Sequence, residues 1–230
     1  MPNFSFESTP DGLALKSNLQ SLPGVLLLDY LHGNLGYRLT PERVLHEPLA
    51  KVIDHQAFVI DATGGLGKDS LMMAMMGCKV WMCEAHPFLY PLIQDAIQRA
   101  LIDPYFNLLF THPDKFQFFP EDAKNILEKL VGTEKAQRPD IVYLDPMFPL
   151  RKKTSLVKKN MQWLKAIHQE ALTEHFMPLT PEKDLFELSL QVATKRVVVK
   201  RPAHAPNLVP LPAPNFSKSF QSGRFDVYLC

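Results

Sequence analysis

The sequence predicts an α/β fold: a mostly parallel, seven-stranded sheet flanked by helices, closed by a C-terminal antiparallel hairpin and preceded by a small β-rich lobe. Three observations predict it. From residue 57 onward, short apolar runs of strand character alternate with stretches of helical spacing, and repeated strand–helix units imply right-handed crossovers and parallel pairing. The run "VIDATGGLGKDS" sets Gly64, Gly65 and Gly67 directly after the first of those strands, at the carboxyl edge of the sheet. At the end of the chain, "FSKSF" and "RFDVYL" flank Gln221-Ser222-Gly223, the pattern of a hairpin.

Taken in order, the elements divide the 230 residues into an N-terminal lobe with its connecting helix over 1–50 and a larger domain over 51–230. "FSFESTPDGLALKS" reads as two strands around a Pro10-Asp11-Gly12 turn. "VLLLDYLHGNLGYRL" reads as a second hairpin around Gly33-Asn34. "TPERVLHEPLAKVI" reads as a helix, with Thr40 as its cap and Pro41 in its first turn. Then "AFVIDATG" is a buried strand, and "KDSLMMAMMG" a helix that Gly77 ends, its methionines packing in the core. "KVWMCEA" is the next strand, and "PFLYPLIQDAIQRAL" the next helix, with Pro87 near its start. "FQFFPED" leads into the helix "AKNILEKLVG". "DIVYLDP" precedes a basic helix, "SLVKKNMQWLKAIHQE", and "PEKDLFELSLQVAT" precedes the strand "RVVVKRP".

Composition excludes several classes. A chain that is 46% hydrophobic and 21% charged is globular rather than disordered. No apolar run approaches the roughly 18 residues of a membrane span. The opening "MPNFSFESTP" lacks the basic segment and apolar core of a signal peptide, so a cytoplasmic protein is expected. The three cysteines, Cys78, Cys83 and Cys230, are odd in number and lack C-x₂-C spacing, which argues against both a disulfide framework and a cysteine zinc site. Cys78 and Cys83 are expected in the core. No histidine pair has the spacing of a metal site, so no metal is expected, and no Ser stands in a G-x-S-x-G elbow. The net charge of +1 conceals an uneven distribution. From Pro146 to Gln169 there is no acid, while Arg151, Lys152, Lys153, Lys158, Lys159 and Lys165 fall within the stretch; Lys195, Arg196, Lys200 and Arg201 form a second cluster. Local patches decide attraction to phosphates, so Arg151, Lys152, Lys153, Lys158, Lys159, Lys200 and Arg201 are candidate RNA contacts.

The glycine loop admits three nucleotide readings. A Walker A loop needs G-x₄-G-K-[ST], but position 62 is Ala and Lys68 is followed by Asp69. A dinucleotide fingerprint needs G-x-G-x-x-G; Gly65 and Gly67 fit, but position 70 is Ser. The D-x-G-x-G-x-G pattern of S-adenosylmethionine enzymes fits Asp61, Gly65 and Gly67, with Thr63 in the first glycine position. An acid in that loop suits a cationic sulfonium better than a pyrophosphate. Glu84 ends the next strand, 23 residues after Asp61, where a carboxylate can accept from both ribose hydroxyls of either a nicotinamide or a methyl-donor cofactor. Asp122, after the third strand, is placed to recognise an adenine amino group or to cap a helix.

"DPMFP" at 145–149 ends a strand with a carboxylate, because proline cannot donate to a sheet ladder and pushes the preceding residue out of helical geometry. Methyl transfer from a sulfonium needs mainly a nucleophile aligned behind the carbon. An exocyclic amine on a nucleobase is a poor nucleophile, its lone pair delocalised into the ring. Two acceptors, Asp145 and the Pro146 carbonyl, can orient the NH₂, and Phe148 can stack the ring, worth roughly 1–3 kcal/mol. The [DNS]-P-P-[YF] motif of amino methyltransferases follows this logic, here with Met147 in place of the second proline.

With "DATGGLGKD", "YLDPMFP" followed by "SLVKKNM", "ATKRVVVKRP" and "GRFDVY", the chain resembles, over roughly residues 57 to 228, the RsmJ family of small-subunit ribosomal RNA guanine-N2 methyltransferases. The resemblance implies a Rossmann-like class I methyltransferase domain and methyl transfer from S-adenosylmethionine to the 2-amino group of one guanine in 16S rRNA, free or in a small-subunit particle. It implies cofactor contacts at Lys68 and Asp69 after the glycine loop, at Glu84 and Ala85, at Asp122 and Ala123, and at Asp145, beside Asp61, Gly65 and Gly67. Where the family often has Arg after the second-strand Glu and small hydroxyl residues after the third strand, this chain has Ala85, Asp122 and Ala123, so contacts from Ala85 and Ala123 are backbone contacts. Alternatives are another nucleic-acid amino methyltransferase of the same fold, an NAD-dependent oxidoreductase, which has no use for DPMFP beside a basic helix, and a non-catalytic RNA-binding protein, which has none for the glycine loop.

Overall fold

The computed structural model of the chain describes residues 3–146, 159–171 and 180–230. Two sheets form. The larger contains β4 (Phe58–Asp61), β5 (Lys79–Cys83), β6 (Phe116–Phe119), β7 (Ile141–Leu144), β8 (Arg196–Arg201), β9 (Phe216–Phe220) and β10 (Gly223–Leu229), in the order β6-β5-β4-β7-β8-β10-β9. β6, β5, β4, β7 and β8 pair in parallel, and β10 runs antiparallel to both β8 and β9. This is the mostly parallel sheet with a closing hairpin that the sequence predicts. The chain steps outward from β4 through β5 to β6, then returns to lay β7 on the other side of β4. That reversal makes the carboxyl ends of β4 and β7 the switch point of the sheet, where an open α/β sheet usually takes its ligand in a crevice. Asp61 ends β4, and Asp145 follows β7.

Strand alternation sends side chains to two faces, and each face has its own core. On one, Val59, Val80, Met82, Tyr143 and Val198 pack with Met72 and Met73 of α3 (Lys68–Met75), Leu92 and Ile93 of α4 (Tyr90–Ala100), and Trp163 and Ile167 of α7 (Lys159–Ala171). On the other, Ile60, Val142, Leu144, Val197 and Val199 pack with Ile126 and Leu127 of α6 (Ala123–Leu130) and Phe186 of α8 (Glu182–Val192). Cys78 and Cys83 are buried, as expected.

The N-terminal lobe is an antiparallel sheet of β1 (Phe4–Thr9), β2 (Gly12–Ser17) and β3 (Leu26–Leu27). The β1–β2 turn falls at Pro10-Asp11, with Thr9 opposite Gly12. Its apolar side joins the first core: Phe4 lies 6.0 Å from the fully buried Trp163, ring to ring, and the Trp163 indole N–H donates to the Pro23 carbonyl at 3.3 Å. Asn3 is held to Glu170 of α7. The helix that follows the DPMFP segment therefore also seats the lobe.

The lobe departs from the sequence reading in two places. The expected hairpin at Gly33-Asn34 is instead α1 (Gly33–Arg38). Asp29 Oδ1 accepts from the Leu31 and His32 amides, turning the chain before Gly33. Leu35 of α1 and the flanking Leu31 and Leu39, four apart, then pack against the core. The helix expected from Thr40 onward is cut into α2 (Pro41–Val44) and a 3-10 turn over Pro48–Lys51, because Pro48 cannot continue an α-helical ladder. Sequence reading also passed over α5 (Pro104–Thr111), although its signal is present: Asp103 accepts from the Tyr105 and Phe106 amides and Pro104 fills the first helical position.

Candidate active site

The glycine loop leaves β4 and turns hard against the end of β5. The Gly64 amide donates to the Cys83 carbonyl at 2.9 Å, and a Cβ at Gly64 would meet that carbonyl at 2.8 Å. Gly65 and Gly67 adopt φ of 56° and 76°, the left-handed region that favours glycine. A Cβ at Gly67 would also strike the Tyr30 hydroxyl at 2.8 Å. Tyr30 comes from the lobe, and its hydroxyl donates to the Leu66 carbonyl at 3.3 Å. Glycine at these three positions lets the loop fit between sheet and lobe.

Carboxylates surround the loop. Asp61 is 1% exposed and accepts from the Thr63 amide at 3.0 Å and the Ser70 hydroxyl. Glu84, also buried, accepts through Oε2 from the Gly65 amide at 2.7 Å and through Oε1 from the His86 amide at 2.8 Å. Burial pushes both acids up to about 7. His86 is buried beside His168, with its Nδ1 accepting from the Phe88 amide; burial first, then His168, pulls it down to about 4, so it is neutral.

The acids raised by burial make apo stability depend on pH. Unfolded carboxyls ionise near 3.8 to 4.5, so between there and about 7 the native state holds protons that the unfolded state has lost. Stability from these two groups therefore falls as pH rises through that window. Glu84→Gln should lose less melting temperature than the parent between pH 5 and 8 in thermal melts; equal pH slopes would show that Glu84 is not raised.

A second carboxylate pair faces the first across the crevice. Asp69, in the first turn of α3, accepts from the Tyr143 hydroxyl at 2.6 Å and from Lys200 Nζ at 2.6 Å. Lys200 Nζ also donates to Asp145 Oδ2 at 2.8 Å. The Asp145 amide donates to Thr63 Oγ1 at 2.6 Å, and the Ala62 amide to the Tyr143 carbonyl at 3.0 Å, so two hydrogen bonds tie the glycine loop to the end of β7. Burial acts to raise Asp69, but the Lys200 charge and the hydrogen bonds from Lys200 and Tyr143 outweigh it and hold Asp69 below the usual range. Asp145 stays raised, by burial and by Asp69, against the opposing pull of Lys200.

Of the expected residues, the structure gathers Asp61, Gly65, Gly67, Lys68, Asp69, Glu84, Ala85, Asp145 and Pro146 at this edge of the sheet. Asp122 and Ala123 stand at the start of α6, after β6. Asp122 is engaged as a cap, accepting from the Lys124 amide at 2.9 Å and from the amide and hydroxyl of Thr180 at 2.9 Å each. Phe148, Arg151, Lys152, Lys153 and Lys158 lie outside the described residues. Lys159 and Lys165 are exposed on α7. The second basic cluster is divided between the two faces of β8 (Arg196–Arg201). Successive residues of a strand face opposite sides, so Lys200 enters the crevice while the Arg201 guanidinium, 3% exposed, donates to the Pro206 carbonyl on the other. Lys195 and Arg196 pair with Asp140 and Asp54. Sequence reasoning missed Tyr30, Thr63 as a hydrogen-bonding residue, Ser70 and Tyr143. No local pattern marks them; their partners are 9 to 82 positions away.

Among the described residues, this edge of the sheet sets Asp61, Glu84, Asp69 and Asp145 against the Lys200 ammonium, so carboxyl groups outnumber the cation. It suits a cationic sulfur and ribose hydroxyls, and repels a pyrophosphate. Comparisons with known proteins agree. The family model described as "Putative SAM-dependent methyltransferase" matches residues 2–230. The chain is 33% identical over 230 residues to ribosomal RNA small subunit methyltransferase J of Dechloromonas aromatica, covering 98% of this chain and 87% of that one. It is 36% identical to the protein of the same name from Thioalkalivibrio sulfidiphilus, covering 95% and 81%. The crystal structure of a SAM-dependent methyltransferase from Neisseria gonorrhoeae superposes with a TM-score of 0.66 at 28% identity, covering 99% of this chain and 83% of that one.

Proposed function

The chain belongs to this family of S-adenosylmethionine-dependent methyltransferases, with the ribosomal RNA small subunit methyltransferase J proteins as relatives, and on that premise we propose that it methylates the exocyclic 2-amino group of a guanine in 16S rRNA. The observation that carries the acceptor assignment is Asp145. It stands at the switch point between β4 and β7, with Oδ2 on Lys200, and among the described residues nothing donates to its Oδ1. The buried Pro146 follows it, with a carbonyl and no competing N–H. Two acceptors side by side match the two hydrogens of an amine. S-adenosylmethionine supplies an electrophilic methyl group; Asp61 and Glu84 hold its polar parts, and Asp145 and the Pro146 carbonyl turn the amine toward the methyl carbon. Asp145 orients and balances charge rather than acting as a strong base, because the amine sheds its proton readily once methylated.

Two measurements test this reading. Calorimetric titration should show binding of S-adenosylmethionine and S-adenosylhomocysteine and none of NAD. Tritium from labelled S-adenosylmethionine should enter undermethylated small-subunit rRNA and not large-subunit rRNA; label in neither, or in the large-subunit RNA, overturns the proposal. The basic run after the site is proposed to hold phosphate. Replacing Arg151, Lys152, Lys158 and Lys159 with Gln should lower RNA affinity and flatten its salt dependence, with cofactor affinity unchanged. An unaltered salt slope would make the run a solvated helix face.

A further inference from the structure

Among the described residues, Lys200 is the cation seated between Asp69 and Asp145, and its place there follows from three elements. β8 delivers it from beside β7, α3 presents Asp69 from its first turn, and Asp145 leaves β7 directly below. Nζ reaches Asp69 at 2.6 Å and Asp145 at 2.8 Å, and the Tyr143 hydroxyl takes a further position on Asp69. We propose that Lys200 is a positioning residue for the transfer step: its ammonium, clamped between Asp69 and Asp145, keeps Asp145 ionised and turned so that its second oxygen meets the amine. This inference rests on the function proposed above and deepens it.

The surroundings make the ammonium necessary. Asp61 approaches from β4, Asp69 from α3 and Asp145 from β7, while Tyr143 is held neutral by burial and by those acids. Arg38 of α1 acts on Asp69 from the lobe but is bonded to Glu47 at 2.7 and 2.6 Å. Without Lys200, Asp61, Asp69 and the partly buried Asp145 would stand together, and like charges that close resist ionising together. Asp145 would take up a proton and lose acceptor strength. Burial acts to lower Lys200, yet Asp69 and Asp145 outweigh it and raise it further, so it stays charged across the working pH range.

The test compares wild type, Lys200→Met, Lys200→Arg and the double variant Lys200→Met with Asp69→Asn, first as apo protein. Raised carboxyls cost stability as pH rises. Lys200→Met should therefore melt progressively below wild type from pH 5 to pH 8, the gap widening by about 4 °C or more, and Asp69→Asn in the same chain should narrow it. The pH profile of methyl transfer should move in parallel: the acidic limb shifts upward by about one unit or more in Lys200→Met, returns toward wild type in the double variant, and stays in place in Lys200→Arg at reduced rate. If Lys200→Met does not fold, Asp69→Asn alone decides, because giving Lys200 wholly to Asp145 should shift the acidic limb downward. A constant melting gap, or an acidic limb that none of these changes moves, overturns the role of Lys200. A wild-type protein that transfers no methyl group overturns the proposed function instead, whatever the melts show.

Discussion

Asp145→Ala should reduce methyl transfer by about a hundred- to a thousand-fold, the range seen when one preorganised polar contact to a developing charge is removed. The fold should survive, because Asp145 contributes no core packing, its side chain is 39% exposed, and Lys200 retains Asp69 as a partner. The loss should fall on turnover rather than cofactor affinity. The acceptor matters most as the amine gains positive character, which occurs in the transition state, and only interactions that strengthen there raise the rate. Asp145→Asn keeps the shape and one acceptor oxygen but loses the charge, so its rate should fall between wild type and Asp145→Ala. Single-turnover rates with saturating S-adenosylmethionine give the comparison. Equal losses in turnover and in S-adenosylhomocysteine affinity would make Asp145 a cofactor ligand alone.

Glu84→Ala should weaken S-adenosylhomocysteine binding by about ten- to a hundred-fold, the loss of two hydroxyl contacts worth roughly 1–3 kcal/mol together. The structure adds a second reason. Each Glu84 oxygen already accepts an amide, from Gly65 and from His86, so the carboxylate fastens the glycine loop to the end of β5 as well as presenting its remaining lone pairs. Alanine leaves both amides without that partner. Calorimetric titration of a variant shown to be folded by circular dichroism measures the effect, and unchanged affinity would remove the ribose assignment.

The sheet was legible because its signals are local. Apolar runs, proline at helix starts and glycine after the first strand each act within a few residues, and they located the strands of the large sheet. The lobe was less legible. Gly33-Asn34 carries a hairpin signal, but Asp29 captures the amides of the turn and the four-residue leucine spacing wins. The places of Asp61, Glu84 and Asp145 at the sheet edge could be read because each ends or follows a strand, whereas Asp69 entered through the family resemblance. The inward place of Lys200 was not legible. In the sequence it belongs to a run of positive charge, and only strand alternation and a partner 131 positions away in Asp69 turn it inward. Thr63, Tyr143 and Tyr30 share that property, as their roles exist only once β4, β7 and the lobe meet.

The most direct test of the account is the identity of the methylated nucleoside. Undermethylated 16S rRNA is labelled with tritiated S-adenosylmethionine by the wild-type protein and by Asp145→Ala, then digested to nucleosides and separated. Label should appear in N2-methylguanosine alone, and fall by about a hundred-fold or more in Asp145→Ala. Label in any other nucleoside, or an Asp145→Ala protein working at near wild-type rate, would contradict it.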